Sequence, residues 1–533
     1  MHARWNRALP LIRIPTLTRS MTAAARQTSP PSAAHPPGKK PRVGNAPDRG
    51  APKRERKRLH NLQKAYAKQL EKNGPPPITF DIAEMLGAAR VDEILHRNAE
   101  FDRVPPFGQE VQVTIERLSA HGDGLARTPQ GDRLLVIPFA LPGEVVRVLP
   151  YASERLYFKA RILELLKRNE EMRHDELVGC RYFGACGGCQ YQMIPYEKQL
   201  QLKQRVLENA FAHYSGLDAA LVPPVQPTMG SPLKMRYRTK LTPHYDLPQA
   251  VRKKAQSGEF IDANDLPIGF DNASTGRVMD IEECPIGTDT INAALPRERQ
   301  AVRDGIAARK NGATILLRDS LASFDSDESV VVTDHKATVH EVVGPTKFDS
   351  PAGAFFQNNR SIIPSVIDYI RSQPAFTEQP GDEPRYLVDT YCGSGLFALT
   401  LAPLFHQVAG VEISAQSIEC AKENARLNGV ENATFLAGSA ENIFANISYP
   451  REQTTVVIDP PRRGCDEAFI KQLVQLRPAH ILYVSCNVHT QARDIGQLIR
   501  MCPSYRLQSV KGFDFFPQTH HVEGICVLRD EEA

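Results

Sequence analysis

The sequence predicts an α/β protein whose carboxy-terminal part is a doubly wound, mainly parallel sheet. From about residue 349, short apolar runs alternate with helical patterns, which is typical of strand–helix units around a parallel sheet. Residues 107–166 instead hold short alternating runs separated by Gly and Pro, and these predict a small β-barrel. Residues 199–345 mix both patterns, so we expect an α+β region between the barrel and the sheet.

The elements of the carboxy-terminal part follow one another as a doubly wound sheet requires. Its predicted strands lie at 386–389, 407–412, 455–458, 481–484 and 524–528. Helical patterns run from Leu396 to Leu404 and from Ala415 to Asn428, where Gly429 is a typical helix terminator. In the barrel segment, the predicted strands lie at 111–115, 134–138 and 144–148.

Length and charge divide the chain into four parts. A chain of 533 residues is too long for one core, and no apolar run approaches the roughly 20 residues that span a bilayer. Residues 1–75 carry 17 Lys and Arg against 3 Asp and Glu, whereas the rest is net acidic. We therefore predict a basic tail over 1–75, a barrel over 105–168, a central domain over 169–345 and the α/β domain over 346–533.

The basic tail holds candidate targeting signals. Its first 47 residues contain Arg but no Asp or Glu, which is typical of a mitochondrial transit peptide and also fits a plain disordered tail. The clusters Lys39–Arg42 and Lys53–Arg58 fit a nuclear signal, an RNA-contacting arm or a solvated charged segment. The expected location is the nucleus, the mitochondrion or both, with the cytoplasm left open.

A glycine-containing loop between a predicted strand and helix indicates a cofactor site. The loop reads Asp389-Thr390-Tyr391-Cys392-Gly393-Ser394-Gly395, and its glycines allow a tight turn and close approach of a ligand. Glu412 lies 19 residues after Gly393, at the end of the next predicted strand. An acid at that place can accept hydrogen bonds from ribose hydroxyls.

A thiol, a rigid turn and an acid lie at the ends of three further predicted strands. Cys486 directly follows a predicted strand, Asp459 opens an Asp-Pro-Pro turn after another, and Glu523 precedes the last. A thiolate that adds to carbon 6 of a pyrimidine makes carbon 5 nucleophilic, and a base must then remove the carbon 5 proton. The set therefore predicts addition of a group at pyrimidine carbon 5, with Cys486 as nucleophile and Glu523 as base.

Several motifs in order resemble the RNA uracil-5-methyltransferase family. They are Phe355-Phe356-Gln357-Asn358-Asn359, the loop 389–395, Asp459-Pro460-Pro461-Arg462-Arg463-Gly464, Tyr483-Val484-Ser485-Cys486-Asn487 and Phe516-Pro517-Gln518-Thr519-His520-His521-Val522-Glu523. The segment with Leu118-Ser119-Ala120-His121-Gly122-Asp123-Gly124 is similar to a TRAM domain, an OB-like RNA-binding barrel. The resemblance covers about 105–533 and implies a Rossmann-like class I S-adenosylmethionine-dependent methyltransferase domain.

The same resemblance implies roles for individual residues. It makes Cys486 the nucleophile and Glu523 the base, and it places an adenine contact at Ser439. Residues implied to contact the methyl donor, S-adenosyl-L-methionine, are Gln357, Tyr391, Glu412 and Asp459. Two positions depart from the family pattern: Leu396 stands where Asn is frequent, and Val488 where Pro is common.

Three closely spaced cysteines indicate a metal or cluster site. Cys180, Cys186 and Cys189 are soft ligands at a density that suits zinc or an iron–sulfur cluster, and Cys284 is the natural fourth ligand. The family resemblance favours a [4Fe–4S] cluster with a structural or RNA-positioning role. Zinc and free reduced thiols are the alternatives.

The expected substrate is RNA whose target base is flipped out of its stack to reach the thiol. Tyr483, Phe515 and Phe516 fit either base stacking or the core, and the run 236–240 alternates cations with an aromatic residue as RNA surfaces do. By resemblance, and from the basic tail, the substrate is expected to be the T-loop uridine 54 of tRNA. Ribosomal RNA, an RNA cytosine-5-methyltransferase and a non-catalytic RNA-binding or folding protein remain alternatives, and the oligomeric state is open.

Overall fold

The structure is a computed structural model that describes most of the chain from Gly74 onward. Described are residues 74–96, 106–262, 264–377, 383–438, 444 and 447–533, together with Lys57, His60, Asn61, Lys64, Ala65, Lys68 and Leu70. The predicted targeting signals and the Lys39–Arg42 cluster lie outside the described residues, so location stays a prediction. Within the described part, no helix is long and apolar enough to cross a membrane.

Two short helices and a barrel form the first part of the fold. Helices α1 (Pro77–Leu86) and α2 (Ala88–His96) precede six strands, which are β1 (Val111–Thr114), β2 (Arg117–Leu118), β3 (Gly124–Arg127), β4 (Leu134–Ile137), β5 (Val145–Ser153) and β6 (Tyr157–Lys167). The strand order is β1-β5-β6-β4-β3-β2. The edge strands β1 and β2 are separated by only two residues in the chain. This segment therefore joins the two edges of the sheet and closes it into the predicted barrel.

The helices cover part of the barrel surface. Ile82 and Val91, from α1 and α2, pack with Leu134 and Leu156 of the barrel in one buried apolar cluster. A separate cluster that includes Val113, Leu135 and Phe158 fills the barrel interior. Successive residues of β4 therefore point alternately to the interior and to the helices, as the period of a strand requires.

The central region combines helices with small antiparallel sheets. In chain order it contains the 3₁₀ turn Asp175–Leu177, α3 (Tyr196–Tyr214), the 3₁₀ turn Ala219–Leu221, β7 (Gln226–Met229), β8 (Lys240–Leu241), β9 (His244–Tyr245), α4 (Gln249–Gln256), α5 (Asp289–Asp304), the 3₁₀ turn Ile306–Ala308, β10 (Ala313–Thr314), β11 (Leu317–Leu321), β12 (Ser329–Val332), β13 (Thr338–Val343) and β14 (Thr346–Pro351). Strands β12-β11-β13-β14 form one sheet, with β8 also paired to β11, and β9 pairs with β10.

The last part is built on an eight-stranded sheet. Its elements are α6 (Ile363–Arg371), α7 (Pro374–Thr377), β15 (Tyr386–Thr390), α8 (Leu396–Leu401), the 3₁₀ turn Ala402–Leu404, β16 (Gln407–Glu412), α9 (Ala415–Leu427), β17 (Ala433–Ala437), the 3₁₀ turn Arg451–Gln453, β18 (Thr454–Ile458), α10 (Glu467–Leu476), β19 (His480–Ser485), α11 (Val488–Met501), β20 (Tyr505–Phe513) and β21 (Glu523–Asp530). The order is β17-β16-β15-β18-β19-β21-β20-β7.

Strand directions match the predicted doubly wound sheet. Strands β17, β16, β15, β18 and β19 are parallel, whereas β21 is antiparallel to both β19 and β20. Val456 and Tyr483 contribute to one apolar cluster, and Val457 and Leu482 contribute to another. The sheet is thus covered on both faces, which explains why its strands are continuous apolar runs.

Two details differ from the sequence prediction. Strand β7 comes from the predicted central domain, yet it pairs with β20 and forms an edge of the large sheet. The helix predicted to reach Leu404 is α-helical only to Leu401 and ends in a 3₁₀ turn. Pro403 lacks the backbone N–H that a continued helix needs, which accounts for the earlier end.

A buried ion pair joins α3 to the segment between β20 and β21. Lys203 and Asp514 are both fully buried, and the Lys203 ammonium donates to the Asp514 carboxylate and to the Phe516 carbonyl oxygen at 3.0 Å. The Tyr196 hydroxyl donates to the other Asp514 oxygen at 2.9 Å. The hydrogen-bond partners of the buried Asp514 carboxylate therefore lie on α3 or on the segment between β20 and β21.

Replacing Lys203 by Met should lower the free energy of unfolding by about 3–5 kcal/mol, because Asp514 would remain buried without its counter-ion. The matched control is Lys471→Met, which removes a cation from an exposed pair with Glu467 and should leave stability nearly unchanged. Urea unfolding followed by circular dichroism measures both. Equal stability of the two variants would contradict a supporting role for the buried pair.

Candidate active site

The predicted site residues meet at one edge of the large sheet. Glu412 ends β16, Tyr391 follows β15, Asp459 follows β18 and Cys486 follows β19. These strands are neighbours and parallel, so their carboxyl ends lie side by side. Glu523 begins the antiparallel strand β21, whose amino end therefore lies at the same edge.

Strand register places the thiol and the acid opposite each other. Ser485 of β19 pairs with Gly524 of β21, so the next residues along, Cys486 and Glu523, continue the same register. The buried Gln491 amide on α11 donates to the carbonyl oxygens of Tyr483, at 2.8 Å, and Gly524, at 2.9 Å. One side chain thus ties both strands together beside the candidate pair.

Gly524 leaves room for the Gln491 side chain where it crosses the strands. A Cβ atom on Gly524 would lie 2.3 Å from the Gln491 side-chain oxygen, which is too close for two non-bonded atoms. Gly524 therefore lets α11 approach β21 and fixes the position of the neighbouring Glu523. Neither residue was singled out from the sequence, because the contact depends on packing between distant elements.

Both candidate groups line one cavity of about 480 Å³. Gln357, Arg462 and Phe516 line it as well, and Gln357 is buried. The cavity therefore brings together the predicted nucleophile, the predicted base, one predicted donor contact and a cation. A flat heterocycle fits a site of this size, since ligand pockets span roughly 300–1,000 Å³.

Burial and neighbouring charge set the protonation of the pair. Burial, with smaller contributions from Glu523 and Asp459, raises the pKa of the Cys486 thiol to about 11, whereas Arg462 lowers it. Burial and Asp459 raise the pKa of Glu523 to about 8, again opposed by Arg462. Arg462 is thus the cation that favours the charged form of both groups.

The loop that carries Arg462 is fastened to the start of α11. The Asn487 side-chain amide donates to the Arg462 carbonyl oxygen at 2.8 Å, and the Thr490 hydroxyl donates to it at 3.2 Å. Asn487 also caps α11 by accepting from the His489 N–H. A cation directly after Asp-Pro-Pro is a signal from which the sequence could have assigned this residue a role.

The cofactor loop has the backbone geometry that the sequence predicted. Gly395 precedes α8 with a φ of 93°, a left-handed conformation that favours glycine, and Tyr391 has a φ of 61°. Asp389 is fully buried, accepts from the Ala398 N–H at 2.8 Å and keeps its other oxygen without a hydrogen-bond partner among the described residues. Burial raises the pKa of Asp389 well above its usual value.

The acids around this loop fit a cationic nucleoside. Glu412 lies 3.4 Å from the Gly393 N–H and accepts from the Ser414 N–H at 3.0 Å, so its carboxylate faces the loop. Burial raises the pKa of Asp459 to about 7, and a bound cation would favour its charged form. Ile413 is 74% exposed and offers an apolar surface beside Glu412. Predicted Ser439 lies outside the described residues.

All four predicted cluster cysteines line the cavity that holds Cys486. Burial raises the pKa of Cys189 to about 12, and the other three thiols add to the rise. Backbone N–H groups of Ile286 and Gly287 lower the pKa of Cys284, although burial brings it to about 11. Within the described residues, no three His, Cys, Asp or Glu side chains form a group that could hold a single metal ion.

The predicted stacking residues divide into two groups. Tyr483 and Phe515 are 2% and 3% exposed and belong to the core, so the stacking interpretation is wrong for them. Phe516 is half-buried and lines the cavity, with the Arg238 guanidinium 5.8 Å from its ring centre. Tyr483 instead donates to buried Asp494 at 2.6 Å.

Alkylation of Cys486 should report the electrostatics of the site. At pH 7 the wild-type thiol should react slowly with iodoacetamide, and the rate should rise about tenfold per pH unit toward its pKa. Arg462→Gln should slow the reaction because it removes the cation that lowers this pKa. Glu523→Gln should speed it above about pH 8, where the wild-type carboxylate is charged.

Peptide mass spectrometry measures the rate at Cys486, and Cys420 in the same digest is the internal control. An unchanged Cys486 rate in Arg462→Gln would contradict the assigned role of the cation. The experiment requires no knowledge of a substrate, so it tests the site alone.

Comparisons with known proteins agree with this geometry. Residues 332–531 match the tRNA (uracil-5-)-methyltransferase family model, and residues 107–157 match the TRAM domain. A tRNA (uracil(54)-C(5))-methyltransferase of Schizosaccharomyces pombe is 43% identical over 478 residues, covering 89% of this chain and 86% of the relative. The Saccharomyces cerevisiae protein of that description is 33% identical over 538 residues, covering 88% and 83%.

A solved structure supports the fold. The Pyrococcus abyssi tRNA (uracil-54, C5)-methyltransferase, in complex with S-adenosyl-L-homocysteine, aligns with a TM-score of 0.55 at 21% identity, over 78% of this chain and 100% of that one. The predicted α/β methyltransferase fold with a TRAM barrel is thereby confirmed. With 43% identity over most of its length to one such enzyme, the chain belongs to the tRNA (uracil-5-)-methyltransferase family.

Proposed function

We propose that this protein methylates carbon 5 of uridine 54 in the T-loop of tRNA, with S-adenosyl-L-methionine as methyl donor. The observation that carries the proposal is the placement of Cys486 opposite Glu523 across β19 and β21, within one cavity. Both fungal relatives are tRNA (uracil(54)-C(5))-methyltransferases, which supports the choice of nucleotide.

The reaction uses the pair in sequence. The Cys486 thiolate adds to carbon 6 of uracil, and the electron pair moves to carbon 5 to form an enolate. When bound, the donor supplies an electrophilic methyl group, which carbon 5 takes up. The Glu523 carboxylate then removes the carbon 5 proton, the carbon 5–carbon 6 double bond re-forms and the sulfur leaves.

Raised pKa values suit these two roles in different ways. A carboxyl group with a pKa of about 8 is a stronger base than an ordinary glutamate, which helps it remove a weakly acidic carbon-bound proton. Burial raises the pKa of the Cys486 thiol, and Arg462 partly reverses that rise. Activity should therefore rise steeply with pH up to about 8, while the Glu523 carboxylate and the Cys486 thiolate both form, and less steeply above 8, where only the thiolate fraction still grows.

The donor fits the edge of the sheet beside the nucleophile. Glu412 would accept from the ribose hydroxyls, and the loop from Tyr391 to Gly395 would hold the amino-acid end near Asp459. Gln357 lines the same cavity as the reacting pair. The resemblance adds Ser439 as an adenine contact.

Tritium release from RNA labelled at carbon 5 of uridine tests the proposal. The wild-type protein should release tritium from tRNA and not from ribosomal RNA. Cys486→Ala should abolish release, and Glu523→Gln should stall after methyl transfer as a covalent protein–RNA complex visible on a denaturing gel. Cys420→Ala, at a half-buried cysteine outside the site, should behave as wild type.

Release by Cys486→Ala at the wild-type rate would rule out the covalent mechanism. Release from ribosomal RNA alone would keep the chemistry and replace the substrate. No release from either RNA would favour the cytosine-5 enzyme or the non-catalytic RNA-binding protein.

The second part of the proposal is a [4Fe–4S] cluster held by Cys180, Cys186, Cys189 and Cys284. Four thiols that line one cavity are soft ligands for such a cluster, which would bind them as thiolates with release of their protons to solvent. The Gly188 N–H, 3.4 Å from the Cys186 sulfur, adds a donor toward the thiolate form.

Protein purified without oxygen should contain about four irons and four sulfides per chain and absorb visible light. Cys284→Ser should lower the iron content and the absorbance, whereas Cys420→Ser should leave both unchanged. One zinc per chain without visible absorbance would replace the cluster by zinc, and the absence of any metal would leave reduced thiols.

A further inference from the structure

A second cavity, of about 280 Å³, lies beside the candidate nucleophile. Its walls include the segment Gly74–Pro77 at the start of α1, the barrel turn with Ala120 and His121, the start of α11 after Cys486, and the segment His520–Val522 before β21. Tyr214 at the end of α3 completes it. This cavity therefore exists only where the amino-terminal helix, the barrel and the large sheet meet.

The two cavities share a wall. Arg462, Cys486, His520 and His521 line both of them. A nucleotide whose base reaches the thiol from the first cavity thus has the second cavity as its immediate neighbour. Arg462 is exposed and stands at the passage between them, where a phosphate of the connecting backbone would pass.

Flat rings line the second cavity. The His121 ring lies 5.2 Å from that of His520 in an edge-on arrangement, and the Tyr214 ring lies 5.1 Å from that of His489 in the same way. Pro75, Pro76 and Pro77 add rigid apolar surface. Surfaces of this kind bind bases by stacking.

The histidines act as neutral rings near pH 7. Burial lowers the pKa of His489 and of His521 to about 4, and the Arg462 guanidinium adds to the shift of His521. Among the described residues that line this cavity, Arg462 is therefore the one that is charged near pH 7. Neutral rings around one cation suit a base with its phosphate better than an acidic peptide or a free anion.

We propose that the second cavity receives the base of a nucleotide adjacent to the target uridine, stacked among these histidine and proline rings, with Arg462 on the intervening phosphate. The inference rests on the proposed function, since it assumes an RNA substrate. Flipping one base out of a stacked loop frees its neighbour from its stacking partner, and a second pocket would offset that loss.

The site also assigns a task to the barrel. His121 lies on the barrel turn between β2 and β3, so the barrel supplies one wall of the pocket. Recognition of the neighbouring base would then require the barrel and the large sheet together, which restricts catalysis to RNA that contacts both.

The experiment uses the full-length protein with S-adenosyl-L-homocysteine, which allows binding without methyl transfer. The probe is a T-arm RNA with the fluorescent base 2-aminopurine on one or the other side of the target uridine, and a third RNA with that base five nucleotides away. We expect a fluorescence change on binding at one adjacent position and none at the distant one. Tritium release by the same protein is measured in parallel.

His121→Ala is the test variant, because His121 is exposed on a turn and its removal should not disturb folding. It should reduce the fluorescence change and weaken RNA binding about five- to tenfold, the size expected for loss of one stacking partner. The matched control is His406→Ala, at another exposed histidine that lines neither cavity, and it should match wild type.

Two outcomes would overturn the inference. The first is a protein that releases tritium from the RNA yet shows no fluorescence change at either adjacent nucleotide. The second is equal RNA binding by His121→Ala and His406→Ala. Failure of tritium release with an intact fluorescence change would instead count against the proposed function and leave the binding site standing.

Discussion

The reversed direction of β21 is the constraint on which the site depends. Parallel strands bring only their carboxyl ends to the active edge, so an acid on a further parallel strand would have to follow its strand. Because β21 is antiparallel to β19, its first residue, Glu523, lies across from Cys486. The Gln491 amide then holds the two strands through the carbonyl oxygens of Tyr483 and Gly524, so the spacing of thiol and acid follows from backbone geometry.

Burial and charge act in opposite senses on this pair. Burial away from water raises the pKa values of Cys486 and Glu523. The thiolate and the carboxylate are therefore stronger bases than usual, and both groups are protonated at low pH. Arg462 counters the shift, and the hydrogen bonds of Asn487 and Thr490 to its carbonyl oxygen keep it at the mouth of the cavity. The Asp-Pro-Pro turn and the start of α11 therefore form one unit with the nucleophile.

Local sequence patterns predicted much of this arrangement, whereas contacts between distant parts of the chain could not be predicted from them. Apolar runs located β15, β16, β18, β19 and β21, and the candidate residues Glu412, Asp459, Cys486 and Glu523 lie at ends of these strands, as predicted. By contrast, β7 joins the sheet through pairing with a strand about 280 residues later, and Lys203 meets Asp514 across 311 residues. Neither contact has a local pattern, and the aromatic residues Tyr483 and Phe515 could not be assigned to core or ligand before their burial was known.

The segment before Glu523 connects the cysteine group to the active site. The Gln190 and Tyr191 N–H groups donate to the Gln518 carbonyl oxygen at 2.9 and 3.0 Å, directly after Cys189. Gln518 has a left-handed φ of 70° and exchanges two hydrogen bonds of 3.1 Å with Gln199 of α3. A strained residue keeps its conformation only where its surroundings fix it, so the cysteine loop and α3 together set the path of the chain into Glu523. The cysteine loop must therefore be ordered for Glu523, the candidate base, to keep its position.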